Sequence, residues 1–158
     1  MTTAGAKLYL VVGKIASGKS TLATKLAEDK QAVLVREDKW LAALFPEEIA
    51  KIPDYVKYSG RLRNVIGAHV PELLKQRQSV VLDFPANTVK IRQWMVAMAR
   101  DGRADSEFHF LDVPDDVCKE RLRFRNEAGE HEFSASEEDF EQISSFFQTP
   151  DAKKVCIL

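Results

Sequence analysis

The 158-residue sequence is poor in cysteine and has no long apolar run. Its two cysteines, Cys118 and Cys156, are too few for a disulfide scaffold and lack the spacing of a metal-binding motif, which favours a reducing compartment. No segment approaches the roughly 18 apolar residues needed to span a bilayer, and the N-terminus lacks the apolar region of a signal peptide. We therefore expect a cytoplasmic protein without membrane attachment.

The sequence also lacks an excess of charge of one sign. It carries 23 basic and 24 acidic residues, a formal net charge of −1. A protein that binds nucleic acid or an anionic membrane through electrostatics usually shows a basic excess, so these partners are not expected. The sequence also lacks internal repeats, low-complexity linkers and any long segment whose composition differs from the rest. The length then favours one domain over residues 1–158.

Apolar and amphipathic segments alternate along the chain. Five strands are predicted, at Lys7–Val12, Ala32–Val35, Ser79–Asp83, Glu107–Val113 and Val155–Leu158. Helices are predicted over Ser17–Glu28, over Arg61–Arg77 with a kink or break at Pro71, from a cap at Asn87 to a stop at Gly102, over Pro114–Arg125, and from Ser136 onward. This alternation predicts an α/β fold, a parallel five-stranded sheet with helices on both faces.

A phosphate-binding signature follows the first predicted strand. Gly13-x-x-x-x-Gly18-Lys19-Ser20 is a P-loop motif placed between a strand and a helix. Gly13 lets the chain turn out of the strand, and Gly18 opens the helix whose amides face the phosphates. Lys19 is expected to reach the β- and γ-phosphates, and the Ser20 hydroxyl to ligate Mg²⁺. The expected nucleotide-binding residues are Gly13, Ala16, Ser17, Gly18, Lys19, Ser20 and Thr21, together with Arg121 from later in the chain.

Several classes of P-loop protein are disfavoured. The GTPase motifs Asp-x-x-Gly and Asn-Lys-x-Asp are missing, and Asp83 is followed by Phe84-Pro85 rather than by the glutamate of a motor ATPase. A phosphotransferase instead needs a carboxylate after strand two, an aspartate ending strand three, and arginines in a late lid that closes over the phosphates. The sequence contains all three.

Two carboxylates are the main catalytic candidates. Asp38 lies beyond the carboxyl end of strand two, where it could accept the proton of an attacking hydroxyl; Glu37 is the competing base. The other interpretation of Asp38 is a cap of the following helix. Asp83 is predicted to help Ser20 hold Mg²⁺, or else to cap the strand end.

Arginines cluster late in the chain. Arg121 and Arg125 share a helical face that ends before the Gly129 loop, where they could clamp the transferring phosphate. The alternative is a solvated run of charge with Glu120, Arg123 and Glu127 alongside. Residues 126–135 are polar and without helical or strand periodicity, which predicts a mobile lid.

Three further side chains have weaker functional signals. Arg92 departs from the apolar stripe of its helix and could meet substrate. His69 lies on an apolar helix face and His109 lies in a strand. Both histidines are interpreted as core residues rather than catalysts.

Taken together, several stretches resemble a known family. They are Gly13-Lys-Ile-Ala-Ser-Gly-Lys-Ser-Thr21, Arg36-Glu-Asp38-Lys-Trp40-Leu with Leu44-Phe-Pro46, Val-Val-Leu-Asp83, Arg121-Leu-Arg-Phe-Arg125-Asn126 and Phe146-Phe-Gln-Thr-Pro150. The chain resembles the small bacterial "predicted kinase" family of AAA-type P-loop proteins, which is similar to zeta toxins, chloramphenicol phosphotransferase and the kinase half of polynucleotide kinases. The resemblance implies a nucleotide-kinase-like fold, ATP and Mg²⁺ as cofactors, and Asp38 as the base.

One position departs from the better-known relatives, which carry Asp-x-x-Arg after strand two. Here Leu41 replaces that arginine, so its contact is missing or comes from elsewhere, with Arg61 and Arg63 as candidates. We expect an ATP-dependent phosphotransferase acting on a small-molecule hydroxyl, as a monomer or weak dimer, with Asp38, Lys19, Arg121 and Arg125 as catalytic residues. The alternatives are a polynucleotide 5′-hydroxyl kinase and a regulatory ATPase module.

Overall fold

A computed structural model describes residues 5–129, 133–151 and 156–157. Its strands are β1 (Lys7–Val12), β2 (Val33–Arg36), β3 (Val80–Asp83), β4 (Asp105–Phe110) and the two-residue β5 (Cys156–Ile157). Its helices are α1 (Lys19–Asp29), α2 (Glu37–Leu44), α3 (Ile52–Lys75), α4 (Val89–Asp101), α5 (Asp115–Ala128) and α6 (Glu137–Ser144). The strands form one sheet in the order β2-β3-β1-β4-β5 with every pair parallel. The predicted α/β fold is confirmed.

The central strand β1 shows how both faces of the sheet are covered. Successive strand side chains point to opposite faces, so Leu8, Leu10 and Val12 join the core under α3 and α4. Tyr9 and Val11 join a second cluster under α1. A strand that is buried on both faces needs apolar residues throughout, which explains the continuous run that predicted it.

Three helix-to-strand turns have the same geometry. Gln31, Arg77 and Arg103 each have a positive φ, between 50° and 61°, after α1, α3 and α4. In each turn the next residue donates its backbone N–H to a carbonyl five residues earlier: Ala32 to Ala27, Gln78 to Leu73, and Ala104 to Ala99. The turns start β2, β3 and β4 at one edge of the sheet. The carboxyl ends of these strands, where ligands bind in such folds, therefore share the opposite edge.

Helix α3 differs most from its prediction. It begins at Ile52 rather than Arg61 and continues through Pro71 to Lys75 without a break. Pro53 lies in the first turn, where its missing amide costs little, and an Asp54 carboxylate oxygen accepts the backbone amide of Lys51. The flanking core residues hold the helix together across Pro71. Packing of α3 against the core therefore outweighed the tendency of Pro71 to break the helix.

Other element boundaries shift by a few residues. Helix α2 follows β2 directly, and its first turn contains Glu37 and Asp38. Thr88 rather than Asn87 caps α4, because its hydroxyl accepts the Ile91 amide at 3.3 Å. Strand β4 ends at Phe110 rather than Val113.

The predicted lid is partly helical. Helix α5 extends to Ala128, so residues 126–128 belong to it, and Gly129 ends it with φ of 65°. The Asn126 amide donates to the Ala135 carbonyl oxygen at 2.6 Å and closes the base of the connection. Residues 130–132 of the predicted lid lie outside the described residues. The predicted start of α6 is confirmed, with a capping box between Ser136 and Asp139.

The two histidines of the sequence analysis differ in environment. His69 is exposed on α3, so its prediction as a core residue was wrong. His109 is largely buried and its ring nitrogen lies 2.8 Å from the Glu107 carboxylate. Across the described ranges no helix has the length and apolar character needed to cross a membrane.

Candidate active site

The P-loop occupies the turn from β1 into α1, and its glycines are required by its shape. A Cβ atom at Gly13 would lie 2.4 Å from the Ser17 hydroxyl oxygen, well inside contact distance. Gly18 has φ of 100°, a conformation that residues with a Cβ rarely adopt. Ala16 is also left-handed, with φ of 60°. The loop is therefore built as a tight concave turn.

Its polar groups point to an anionic ligand. Helix α1 has no acidic residue in its first turn and no side-chain cap, so its terminal amides and dipole stay open to an anion. The Ser17 hydroxyl is buried, and within the described part of the chain it has no hydrogen-bond partner. Thr21 lies exposed in the first turn of α1. A phosphate chain bound over the loop would use these donors.

Lys19 lies inside the curve of the P-loop. Its ammonium donates to the Gly13 carbonyl at 2.8 Å and to the Lys14 carbonyl at 3.2 Å. Burial lowers the pKa of Lys19; the negative charges of Asp83 and Asp38 oppose this shift, and the positive charge of Arg125 adds to it. These three charges belong to the candidate base, the candidate metal ligand and one of the two predicted arginines.

The two predicted metal-binding residues are brought together. The Ser20 hydroxyl donates to Asp83 Oδ2 at 3.0 Å, although 63 residues separate them. This arrangement results from the parallel pairing of β1 with β3, which sets the end of β3 beside the start of α1. A hydroxyl and a carboxylate at this spacing are suitable oxygen donors for Mg²⁺.

Arg36, the last residue of β2, had no predicted role in the site. Its Nε donates to the same Asp83 oxygen at 3.0 Å, and its Nη2 donates to the Ser20 carbonyl at 3.0 Å and to the Thr24 hydroxyl at 2.7 Å. Arg36 thereby ties β2, β3 and α1 together beside the candidate metal site. Its position directly before Glu37 and Asp38 was the only available signal in the sequence.

The environments of Glu37 and Asp38 differ. Glu37 is 1% exposed, and its carboxylate accepts hydrogen bonds from the Tyr55 hydroxyl and, at 3.0 Å, from the Ser59 hydroxyl. Burial raises the pKa of Glu37, while these two donors and the Arg63 charge oppose the shift. Asp38 is half-exposed and acts electrostatically on Lys19. Of the two carboxylates, Asp38 is the one open to a ligand.

Helix α5 carries the predicted arginines to the P-loop. Arg121 Nη1 donates to the Ser17 carbonyl at 3.3 Å, and Arg125, one turn later, acts on the pKa of Lys19. Arg123 is elsewhere on the helix and pairs with Glu137 at 2.7 Å. The i, i+4 spacing thus puts Arg121 and Arg125 on one face of α5, apart from Arg123.

Arg92 has a structural environment rather than one that could meet substrate. Its guanidinium donates to the backbone carbonyls of Thr88, Asn87 and Gln148 and is 9% exposed. It holds the start of α4 against the chain that follows α6, so its interpretation as a substrate contact was wrong.

A second group of residues borders the site on the α3 side. The Trp94 ring lies 6.5 Å from the ring of Phe84, which directly follows Asp83. The guanidinium carbon of Arg63 lies 6.0 Å from the centre of the Trp94 ring, and its Nε lies 3.9 Å from Glu37 Oε2. Leu41 is fully buried in the core and cannot contact a ligand.

With this geometry in place, comparison with known proteins identifies the family. A family profile described as "AAA domain" matches residues 8–150, nearly the whole chain. The chain belongs to this family. A search of curated protein sequences finds no match.

Solved structures confirm the P-loop kinase-like fold of this family member. The Pnkp1/Rnl/Hen1 RNA repair complex matches 92% of this chain with 26% identity and a TM-score of 0.74, and the chain covers 45% of that chain, less than half its length. Kti12 of Chaetomium thermophilum, solved with ADP-AlF3, has 17% identity and a TM-score of 0.72, and the match covers 96% of this chain and 88% of the Kti12 chain. The APS kinase CysC of Mycobacterium tuberculosis, solved with AMPPNP and APS, matches 98% with 21% identity and a TM-score of 0.63, covering 88% of its own chain.

Proposed function

We propose that this protein is an ATP-dependent phosphotransferase that moves the γ-phosphoryl group of ATP to a hydroxyl of a small molecule. One observation carries the proposal. A half-exposed carboxylate, Asp38, lies at the same sheet edge as the P-loop and is close enough to Lys19 to act on its pKa. A carboxylate there can accept a proton from a hydroxyl that attacks a phosphate bound in the loop.

The P-loop residues fit a nucleotide. Gly13, Ser17 and Gly18 form the turn and supply donors, with Ala16 and Thr21 beside them, and Lys19 would move from the loop carbonyls to the phosphate oxygens. The AMPPNP and ADP-AlF3 named with two similar folds support a nucleotide at this place.

Mg²⁺ would be held by the Ser20 hydroxyl and by Asp83, directly or through water. When bound, the ion would neutralise charge on the transferring phosphoryl group. The Ser20–Asp83 hydrogen bond keeps the two oxygens together. Arg36 fixes the Asp83 carboxylate in the orientation that faces the P-loop.

Proton transfer and stabilisation of the transferring phosphoryl group are assigned to different side chains. Asp38 would take the proton of the acceptor hydroxyl while the hydroxyl oxygen forms a bond to the γ-phosphorus. The bond between the γ-phosphorus and the β-phosphate oxygen breaks at the same time, so that ADP leaves. Arg121 and Arg125 would hold phosphoryl oxygens as negative charge develops on them. In support of this role, Arg121 donates to a P-loop carbonyl, and Arg125 follows one helical turn later on α5.

A polynucleotide 5′-hydroxyl kinase is the second candidate. The similarity to the RNA repair complex favours it, whereas the near-neutral charge and the buried Leu41 favour a small molecule. The third candidate, a regulatory ATPase, would hydrolyse ATP without any acceptor.

A screen for acceptor-stimulated ADP production tests the proposal. Hydroxylated metabolites and a 5′-hydroxyl oligonucleotide are added to protein, ATP and Mg²⁺, and ADP and inorganic phosphate are measured separately. We expect ADP without phosphate release for at least one small molecule. Stimulation by the oligonucleotide alone would favour the second candidate, and phosphate release that no acceptor changes would favour the third.

The base is tested by Asp38→Asn. The amide keeps the size of the side chain but cannot accept the proton, so we expect acceptor phosphorylation to fall by about 10²–10⁴-fold with ATP affinity nearly preserved. The exposed Asp29→Asn variant is the matched control and should keep full activity. Equal turnover of Asp38→Asn and the native protein would remove Asp38 from the chemistry.

A further inference from the structure

The guanidinium of Arg63 has unused hydrogen-bonding capacity. An arginine side chain offers five N–H donors in one plane. Among the described residues none accepts a hydrogen bond from Arg63, and its Nε is buried without a partner. The side chain is only 26% exposed. A buried Nε–H group without an acceptor is costly unless something else satisfies it.

Neutralisation of Glu37 does not account for this arginine. The Arg63 Nε lies 3.9 Å from Glu37 Oε2, beyond hydrogen-bond distance. The two Glu37 oxygens already accept from Tyr55 and Ser59. Arg63 therefore acts on Glu37 through its charge, without donating a hydrogen bond to the Glu37 carboxylate.

Arg63 lies beside the ends of β2 and β3, where the proposed function has the acceptor bind. It is placed over Trp94, which packs on Phe84 at the end of β3, and beside Glu37 at the end of β2. The Tyr55 hydroxyl donates to the same Glu37 carboxylate that Arg63 faces. The P-loop cations Lys19, Arg121 and Arg125 lie on the nucleotide side instead.

Negative charge from Glu37 and Asp38 would repel an anion that approached this corner. A neutral acceptor would need no cation here. An acceptor with an anionic group would need a positively charged side chain with paired N–H donors, such as Arg63. Guanidinium groups bind carboxylate and phosphate in a two-pronged geometry. Its neighbour Arg61 is exposed and lies over Tyr58 instead of Trp94, so the two arginines of α3 are not equivalent.

We propose that Arg63 binds an anionic group of the acceptor, so that the acceptor carries a carboxylate or phosphate in addition to the hydroxyl that is phosphorylated. This inference rests on the proposed phosphotransferase function. It makes Arg63 a specificity-determining residue, with the Trp94 ring holding the guanidinium plane in position. Carboxylate and phosphate acceptors share this chemistry, and the experiment separates them.

The test measures binding without turnover. In a Trp40→Phe background Trp94 is the only tryptophan, so its fluorescence reports directly on the ring beneath Arg63. The P-loop is saturated with AMPPNP and Mg²⁺. Matched pairs are then titrated: gluconate and glucose, glycerol 3-phosphate and glycerol, and a nucleoside 3′-phosphate and its nucleoside.

We expect at least one anionic member to bind more tightly than its neutral partner. Arg63→Gln should raise its Kd roughly tenfold to a hundredfold, the usual worth of a hydrogen bond to a charged group. Arg63→Lys should restore part of the affinity, and Arg61→Gln, the matched control on the same helix, should leave the Kd unchanged. Circular dichroism and thermal melting confirm that each variant is folded.

The outcomes separate this inference from the proposed function. If neutral acceptors are phosphorylated and Arg63→Gln changes no Kd or KM, the anion site is wrong and the phosphotransferase stands. If an anion binds through Arg63 without any ADP production, the anion site stands and the phosphotransferase fails. If no anionic member gives an Arg63-dependent signal, the anion site is refuted.

Discussion

Glu37 and Asp38 are adjacent carboxylates that have different surroundings. The Glu37 side chain enters the space between α2 and α3, where Tyr55 and Ser59 donate to it. The next residue around the helix turn, Asp38, stays half-exposed at the sheet edge. A group whose oxygens are enclosed and hydrogen-bonded cannot easily take a proton from a ligand. The difference arises from which side of the first turn of α2 each residue occupies.

The raised pKa of Glu37 predicts a pH-dependent stability. Burial favours the protonated form in the folded state, so the stabilising contribution is complete below the unfolded pKa of about 4.3 and is lost as pH rises through the folded pKa. We therefore expect the free energy of unfolding of the native protein, minus that of Glu37→Gln, to fall as pH rises from about 4.5.

Urea unfolding of both proteins between pH 4.5 and 8 measures this difference. The exposed Glu138→Gln variant is the control, and its difference from the native protein should not follow the same trend. A difference that rises with pH for Glu37→Gln would show that its ionised form is the stabilised one.

At the scale of elements, helix α5 contacts both the P-loop and helix α6. Its buried face, with Cys118 and Leu122, packs against Phe140 of α6. The same helix directs Arg121 and Arg125 toward the P-loop and Arg123 toward Glu137. The predicted lid over residues 126–135 stays a prediction, shortened by the three residues that extend α5.

Two arginines of α5 form a matched pair for mutation. Arg125→Ala should lower phosphoryl transfer by roughly 10²–10³-fold, as the loss of one preorganised donor does, without unfolding the protein. Arg123→Ala removes only an exposed ion pair and should leave kcat unchanged. Hydrogen exchange of residues 121–129 should slow when AMPPNP binds. Equal kcat values for the two variants, with exchange unaffected by AMPPNP, would exclude α5 from the site.

At the scale of the whole molecule, the sheet gathers the site at one edge. Strands β1, β2 and β3 end there, and α1, α2 and α5 begin or pass beside them. A ligand that contacts several of these elements binds only the folded chain, so it must raise the stability of the entire domain.

Nucleotide binding can therefore be measured as stability. AMPPNP with Mg²⁺ at about 100 times its Kd should add about 2.7 kcal/mol, which for a domain of this size raises Tm by roughly 5–10 °C. EDTA should reduce the shift, because Ser20 and Asp83 then lack their ion. Lys19→Ala should nearly abolish it, since the proposed function assigns the ammonium to the phosphates.

The exposed Lys25→Ala variant on the same helix is the control and should keep the full Tm shift. A Lys19→Ala protein that melts like the native one, both with and without AMPPNP, would remove the P-loop lysine from nucleotide binding.

The sequence by itself determined the features that short-range rules govern. The P-loop could be predicted because Gly13, Gly18 and Lys19 act within one turn, where steric limits and helix amides decide the structure. The alternation of strands and helices predicted the parallel sheet, and the capping box at Ser136 marked the start of α6. Arg121 and Arg125 could be paired because helical geometry alone puts residues four apart on one face.

Only the tertiary structure decided the contacts between distant segments. Arg36 joins Asp83 because parallel pairing of β2 and β3 aligns their ends, 47 residues apart. Helix α3 passes through Pro71 because core packing on both sides outweighs a missing hydrogen bond. Glu37 became enclosed, and Arg63 came to lie beside it, because α3 packs against α2. Side-chain roles that depend on long-range packing leave no local pattern in a sequence, since the partners are chosen by the fold.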